Sequence, residues 1–538
     1  MDVRQRPFIW LNIFSVTIYL LLGLHAAAWG DAALFVPAAT TPSQPLVEGA
    51  SRSRLLTINW GMMAQGAQPE LQLDLFDGVV VTAVRDQLFR STAVSGYVWL
   101  GHLHNSPTDT VTLSVVDNVM VGTIRRGRQT FQLRYAGSGL HTFSEQNDRA
   151  IFAPTEDDDI PVNEQWSLTV PASQLADGVQ TTNGRCVDGQ ETGSIVDLLV
   201  AYTADAAAAE GGSSAIQALI NSRVADMNRA NQDSGVAFTF NLVHVRETDY
   251  AETKDPGVDL ARLFNPNDGE LDEILLARDS YKADLIGLYI SESETGSCGT
   301  GYVAGGSSHA AWGMNVSALD HALPGYTCDP YTLAHEFGHN TGNAHNRTNA
   351  SVPGYLPYAY GYQDPDGDFR TLMAYSCPSG SCPRLNYWSN VTTTYQGQPL
   401  GIDYNDSPSQ SADNARAMNQ TAVSVANYRT NCTEETPTPT ATSTATPTKT
   451  PTPTKTATPT KTPTATKTAT PTQTAAATAS ATPTQTMTAT ATDTATATPS
   501  ASFTPMASAT AVNIQTTATA IPLPHRYFIY LPLTVRQP

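Results

Sequence analysis

The histidines at positions 335, 339 and 345 restrict what this chain can fold into more than any other feature of its sequence. Residues four apart on a helix lie one turn apart on the same face. The rings of His335 and His339 can therefore reach one ion if His335-Glu336-Phe337-Gly338-His339, preceded by Thr332-Leu333-Ala334, is helical. Gly342 lets such a helix end, since glycine enters the left-handed conformation without a Cβ clash. The chain then turns back and His345 supplies a third nitrogen. Three nitrogens leave the fourth tetrahedral position of a zinc ion open for water, as a catalytic site requires. Glu336, beside the first ligand, is suited to take a proton from that water and pass it to a leaving amine. Histidine occurs only 11 times in 538 residues, so three in this spacing are not read as an ordinary polar helix face.

A second element lies downstream, Thr371-Leu372-Met373-Ala374-Tyr375-Ser376. It is similar to a methionine turn, and that resemblance implies that Met373 packs beneath the histidines as a structural floor without ligating the metal. Tyr375 is either a fifth ligand at rest, a hydrogen-bond donor to the oxyanion of a tetrahedral intermediate, or a buried tyrosine with no catalytic part.

Around this centre the chain divides into five regions. Arg4 and Arg6, the apolar run Phe8 to Leu24, and Ala26-Ala27-Ala28 read as a signal peptide over 1–30, with an uncleaved anchor helix as the alternative. Export makes disulfides possible, and the six cysteines are an even number. Region 31–185 begins with alternating apolar and polar residues, as in Leu71 to Leu75, Gly96 to Leu103, Thr110 to Val116, Val119 to Thr123 and Gln129 to Tyr135. It is expected to be an antiparallel β domain, a propeptide or an accessory domain, followed by a linker running to about Ser194. Its His102 and His104 are read as surface residues rather than ligands.

Region 186–432 alternates strands (Ile195 to Tyr202, Ala237 to Val245, Leu285 to Ile290) with helices, one capped by Ser213 and one over Glu270 to Tyr281. That order gives an α/β (α+β) domain with a mixed, mostly parallel sheet. Region 433–520 repeats Thr-Pro, Ala-Thr and Thr-Lys pairs and cannot bury a core, so it is expected to be a disordered, extended stalk. The tail, 521–538, carries an apolar run, Tyr527 to Val535, too short to span a bilayer; it is either a surface-retention element or simply a sticky strand. The formal net charge of −19 argues against nucleic acid or anionic membrane as the main partner.

The motif pair resembles the metzincins, in their reprolysin-like (adamalysin-like) branch, and more narrowly the bacterial peptidyl-Asp metalloendopeptidases. The resemblance runs from about Ile195 to Arg429 and includes Val196-Asp197-Leu198-Leu199-Val200-Ala201-Tyr202-Thr203, Asp249-Tyr250-Ala251-Glu252-Thr253 and Leu385-Asn386-Tyr387-Trp388-Ser389-Asn390. It implies a twisted sheet with an antiparallel edge strand above a cleft, and an irregular C-terminal subdomain below. The edge strand would be Gly301-Tyr302-Val303-Ala304, pairing with an extended substrate. Reprolysin-like enzymes usually have Asp after the third histidine, and here it is Asn346. Cleavage beside acidic residues would need a cation, for which Arg347 and Arg370 are candidates.

Of the six cysteines, Cys377 and Cys382 are close enough to close a small loop, Cys298 with Cys328 would bracket the approach to the zinc helix, and Cys186 with Cys432 would staple the domain ends. The rival reading makes Cys186 a latency thiolate on the open zinc position, since Arg185-Cys186 is similar to the cysteine switch of other metzincins. The oxygens of Asp364-Pro365-Asp366-Gly367-Asp368 suit calcium, but the loop is read as an acidic turn. The expectation is a secreted or cell-surface monomeric zinc endopeptidase acting on proteins or peptides, latent until its N-terminal region is removed. A zinc-bearing but inactive adhesin and a hydrolase of another substrate are the alternatives.

Overall fold

The short turns of the N-terminal region fix its architecture. Asp117 and Asn118 take φ of 47° and 62°, the left-handed pair of a two-residue hairpin whose twist matches its strands. The structure is a computed structural model that describes residues 33–38, 47–63, 68–151, 158–162, 184–377 and 382–432. The expected signal peptide, stalk and apolar tail lie outside those residues.

Nine strands follow in the N-terminal region: β1 (Phe35–Pro37), β2 (Ala50–Ile58), β3 (Glu70–Asp74), β4 (Val80–Phe89), β5 (Tyr97–Leu103), β6 (Ser106–Val116), β7 (Val119–Arg126), β8 (Gln129–Gly137) and β9 (Leu140–Gln146). They form one antiparallel sheet in the order β1-β2-β9-β8-β7-β6-β5-β4-β3. Because side chains alternate between faces, the sheet has two apolar surfaces. Leu71, Leu73, Trp99, Leu113, Phe131 and Phe143 fill one, each large side chain contributing about 1.5–3 kcal/mol by leaving water. Val116, Val119 and Val121 join the core of the following region. The alternation was plain in five strands; β2, β4 and β9 carry too many half-exposed polar residues to stand out.

After β10 (Asp159–Pro161) and the hairpin β11 (Cys186–Val187) with β12 (Gln190–Glu191) come β13 (Ile195–Thr203), α1 (Ala204–Ala209), α2 (Ser213–Asp233), β14 (Thr239–Thr248), α3 (Pro256–Phe264), α4 (Asp272–Tyr281), β15 (Leu285–Ser293), β16 (Gly299–Val303) and β17 (Met314–His321). Next are α5 (Thr332–Asn340), the hairpin β18 (Asn390–Tyr395) with β19 (Gln398–Leu400), and α6 (Asn414–Ala426). The second sheet has the order β10-β16-β17-β15-β13-β14. Its pairs are parallel except β16 with β17.

Both faces of this sheet are covered, which is why β13 reads as a near-continuous apolar run, interrupted by Asp197. Leu198 and Val200 face the cluster that includes Ile216 and Ile220 of α2, while Leu199 and Ala201 face Leu260, Leu263 and Ile274 of α3 and α4. Ser213 is not the cap of α2: the helix begins at Ser213, and Gly212 at φ 121° precedes it. Ser213 instead donates to Glu247. Helix α3 follows a signal the sequence carries, Asp255 accepting from the amides of Gly257 and Val258 with Pro256 in the first turn.

The N-terminal sheet docks on α2 through polar contacts as well. Thr112 donates to Asp226 at 2.6 Å, and Arg223 donates to Thr123 at 2.7 Å and to Gln132 at 3.3 Å. His102 pairs with Asp86 at 2.6 Å. Asp364 accepts from the amides of Asp366 and Asp368, closing its own turn. Among the described residues no helix is long and apolar enough to cross a membrane.

Candidate metal centre

Helix α5 is buried along its whole length, with Leu333 and Phe337 facing the sheet. Asn340 fixes its far end, donating to the carbonyls of Tyr302 at 3.1 Å and Met314 at 2.9 Å. Gly342 then takes φ 97°, and the reversal brings His345 back to the helix. The Nε2 atoms of His335 and His345 are 3.2 Å apart. Donor atoms of His335, His339, His345 and Asp158 all lie within 4.8 Å of one another.

These residues fit a zinc ion. Adjacent ligands of a tetrahedral zinc with bonds of about 2.0–2.1 Å stand roughly 3.3 Å apart. The Nδ1 atoms of His335 and His339 donate to the carbonyls of Leu372 at 2.8 Å and Asn343 at 2.9 Å, which leaves each Nε2 as the free lone pair. His339 Nε2 is buried with no hydrogen-bond partner, an orphan that a metal would satisfy. Burial pushes the His339 pKa down to about 3 and that of His335 well below its ordinary value, so both rings are in the neutral, ligating form.

The floor beneath the rings has a physical cause. Met373 is fully buried, and a Cβ on Gly338 would come within 2.3 Å of its Sδ. Glycine at 338 therefore lets the methionine lie directly under the turn between the two helical histidines. The same segment supplies the Leu372 carbonyl that orients His335.

Glu336 is buried against β16, which is not the edge strand expected from the sequence because β10 pairs along its outer side, and Glu336 Oε2 has no hydrogen-bond partner. Burial, with the nearby charge of Asp158, raises its pKa well above the ordinary value. A Cβ on Gly299 would stand 2.5 Å from Glu336 Oε1, so the carboxylate occupies space that only glycine leaves open. Gly301, Tyr302 and Val303 belong to β16; Ala304 falls outside it and donates to the His339 carbonyl at 3.0 Å.

Tyr375 stacks obliquely on His345, ring centroids 4.1 Å apart, and its hydroxyl donates to Asp158 Oδ1 at 2.8 Å. Its amide donates to Asn346 Oδ1 at 3.1 Å, so the amide standing after the third histidine braces the turn in its own way. Burial and the charge of Asp158 push the phenol pKa strongly up, which keeps it a hydrogen-bond donor.

Asp158 was not legible as a site residue; it stands in the acidic run at the end of the β-rich region. Its Oδ1 lies 2.5 Å from His345 Nε2 and 3.9 Å from His339 Nε2, and its Oδ2 lies 3.7 Å from His335 Nε2. Burial alone would push its carboxyl up, but His345 beside it holds it below the usual carboxylate range. Its backbone carbonyl accepts from the Gly301 amide and the Thr300 hydroxyl.

The two arginines proposed from sequence have other work. Arg347 lies over the Tyr360 ring at 3.7 Å and donates to Pro357, Pro408 and Ser411. Arg370 is buried and donates to the carbonyls of Ala374 and Cys382. Arg384 was missed. It lies 3.8 Å from Asp329, its Nε is buried without a partner, and its charge acts on both Glu336 and His335.

All six cysteines are paired, Cys186–Cys432, Cys298–Cys328 and Cys377–Cys382. The rival reading of Cys186 as a thiolate on the metal is thereby corrected: its sulfur is bonded to Cys432.

Residues 192–389 match the Reprolysin_5 family, described as Metallo-peptidase family M12. Over 440 residues the chain is 31% identical to the peptidyl-Asp metalloendopeptidase of Stenotrophomonas maltophilia, covering 76% of this chain and 97% of that protein. Over 413 residues it is 30% identical to the protein of the same name from Xanthomonas campestris pv. campestris, covering 73% of this chain and 91% of that protein. The chain belongs to metallopeptidase family M12, and it is a metalloendopeptidase whose three histidines and Asp158 form a group able to hold one zinc ion.

Proposed function

We propose that this protein is a secreted endopeptidase with Glu336 as general base, cleaving peptide bonds beside acidic residues. The observation that carries the reading is the convergence of three imidazoles with Glu336 buried directly beside them. A zinc ion held by His335, His339 and His345 would polarise the scissile carbonyl and acidify the attacking water. Glu336 accepts the proton from that water at its unpartnered Oε2 and returns it to the leaving nitrogen. Tyr375, once its hydroxyl is free of Asp158, donates to the oxyanion. The side of β16 from Gly301 to Val303, along which β10 now pairs, takes an extended substrate by strand addition once β10 has left it. Export is supported by the basic, apolar and small-residue order of 1–30, and the stalk and tail are read as a surface-display element.

Gly299 offers a test of the base that leaves the metal ligands alone. In Gly299→Ala the new methyl meets Glu336 Oε1 and displaces the carboxylate. The expected result is a loss of peptide turnover of about 10²-fold or more, within the range assigned to a positioned base, at unchanged zinc content. Turnover equal to the wild type would contradict this placement of Glu336.

Acidic preference is the property carried by the names of the relatives, and Arg384 is the cation that suits it here. Digestion of a peptide library by the activated protein, read by mass spectrometry, is expected to give cuts next to Asp or Glu. Arg384→Ala is expected to lose roughly 10-fold or more of that preference, as one charge-assisted contact of about 1.5–3 kcal/mol is removed. Cuts without acidic bias in the wild type would reject the substrate class, and an unchanged bias in the variant would reject the residue.

A further inference from the structure

We propose that Tyr302, Phe264 and Trp312 form a subsite for an aliphatic side chain of the substrate, on the face of β16 turned away from the metal. The inference rests on the strand-addition reading above and adds a second element of specificity beside the acidic one.

Alternation along β16 gives the strand two faces. Gly301 looks toward the metal side, since a Cβ there would stand 3.3 Å from Glu336 Oε2. Tyr302, the next residue, points to the opposite face, where it packs on the cluster that contains Leu260 and Leu263 of α3. Phe264 is the last residue of that helix, and its ring centroid lies 5.5 Å from that of Tyr302. Trp312, the last residue of the short 3-10 helix Ser307–Trp312, stacks on Phe264 with centroids 6.0 Å apart. All three rings are half-buried. Single hydrophobic residues scattered on a surface need no explanation. Three contiguous rings beside a strand that receives another strand mark a binding surface.

Residues paired across neighbouring strands share a face, whichever way the second strand runs. Strand β10 displays the consequence. Asp159, opposite Gly301, turns to the metal side and lies 3.4 Å from His345 Nδ1. Ile160, opposite Tyr302, turns the other way and packs on the same cluster as Tyr302 and Phe264. A substrate strand in the place of β10 therefore sends one side chain toward the metal and the adjacent one onto the rings. Ile160 shows the size and chemistry that the surface accepts. An aliphatic side chain leaves water there against ring carbon, whereas a carboxylate would give up hydration to the same carbon. Arg384 and the three rings thus read different residues of one substrate.

The test is a peptide series assayed with the activated protein, one acidic residue fixed beside the cut and each other position varied singly among Gly, Ile and Glu. One position is expected to give kcat/KM at least about 10-fold higher with Ile than with Gly, the discrimination open to a hydrophobic pocket. At that position Phe264→Ala is expected to bring the ratio below about 3-fold, with the ratios at the other positions unmoved, a pattern that general damage to the fold does not give. Phe264→Arg is expected to favour Glu over Ile there, because a guanidinium then stands where ring carbon stood. Backbone N-methylation of the peptide along the same stretch removes donors of strand pairing and is expected to lower kcat/KM by about 10-fold or more. No position preferring Ile in the wild type, or an unchanged ratio in both variants, overturns the subsite while N-methylation still acts. Cleavage indifferent to N-methylation at every position overturns the strand reading beneath it as well. If Phe264→Arg does not fold, the wild type and Phe264→Ala decide the question alone.

Discussion

Glu336→Gln is expected to keep one zinc per chain and lose peptide turnover by about 10²–10⁴-fold, the contribution of a positioned general base. The amide fills the same buried space against Gly299 but cannot accept the proton that the carboxylate takes. Retained zinc follows from geometry, since the converging donors are His335, His339, His345 and Asp158 and do not include Glu336. Purified, activated variant protein should be analysed for metal and assayed on a peptide in parallel. Wild-type turnover in a zinc-loaded variant would remove Glu336 from the mechanism.

Replacing Cys186 and Cys432 together by serine is expected to cost about 2–5 kcal/mol of stability in the activated chain. The bond joins residues separated by 246 positions, and closing a loop of that length restricts the unfolded chain strongly. For a domain of this size that corresponds to a fall of about 2–4 °C in thermal midpoint per kcal/mol. The staple also holds the β11–β12 hairpin beside the end of α6, where Glu191 bonds Asn427 and Asn431. Calorimetry of the cut form checks the expectation, and an unchanged midpoint would mean that the pairing contributes nothing once the chain is cut.

What the sequence made legible was what local spacing dictates. His335 and His339 are one helical turn apart, Gly342 permits the reversal to His345, and Met373 stands in a motif similar to the methionine turn, although the room that Gly338 leaves for its sulfur shows only in the fold. The apolar runs of β13 and β15 and the alternation in β5 to β8 were likewise local signals. What was hidden depends on tertiary placement. Asp158 belongs to an acidic run like that of any linker, and only the pairing of β10 with β16 delivers it to the histidines. Gly299 looks like an ordinary loop glycine until Glu336 is packed against it. Arg347 and Arg370 stood near the motifs in sequence, yet both are bonded to carbonyls, while Arg384, farther along, carries the buried unpartnered nitrogen. The start of α2 was misjudged by one residue because serine is a frequent cap and Gly212, in a left-handed conformation, takes that place here.

The central claim is that three histidines hold one zinc ion on which peptide hydrolysis depends. It is tested most directly by stripping the activated protein with a chelator, dialysing the chelator away, and titrating zinc back while following cleavage of one peptide. The expected course is complete loss of turnover in the stripped protein and full recovery at one zinc per chain. In His339→Ala the same titration should restore nothing at that stoichiometry. Full turnover by the metal-free protein, or recovery in His339→Ala equal to the wild type, would contradict the account.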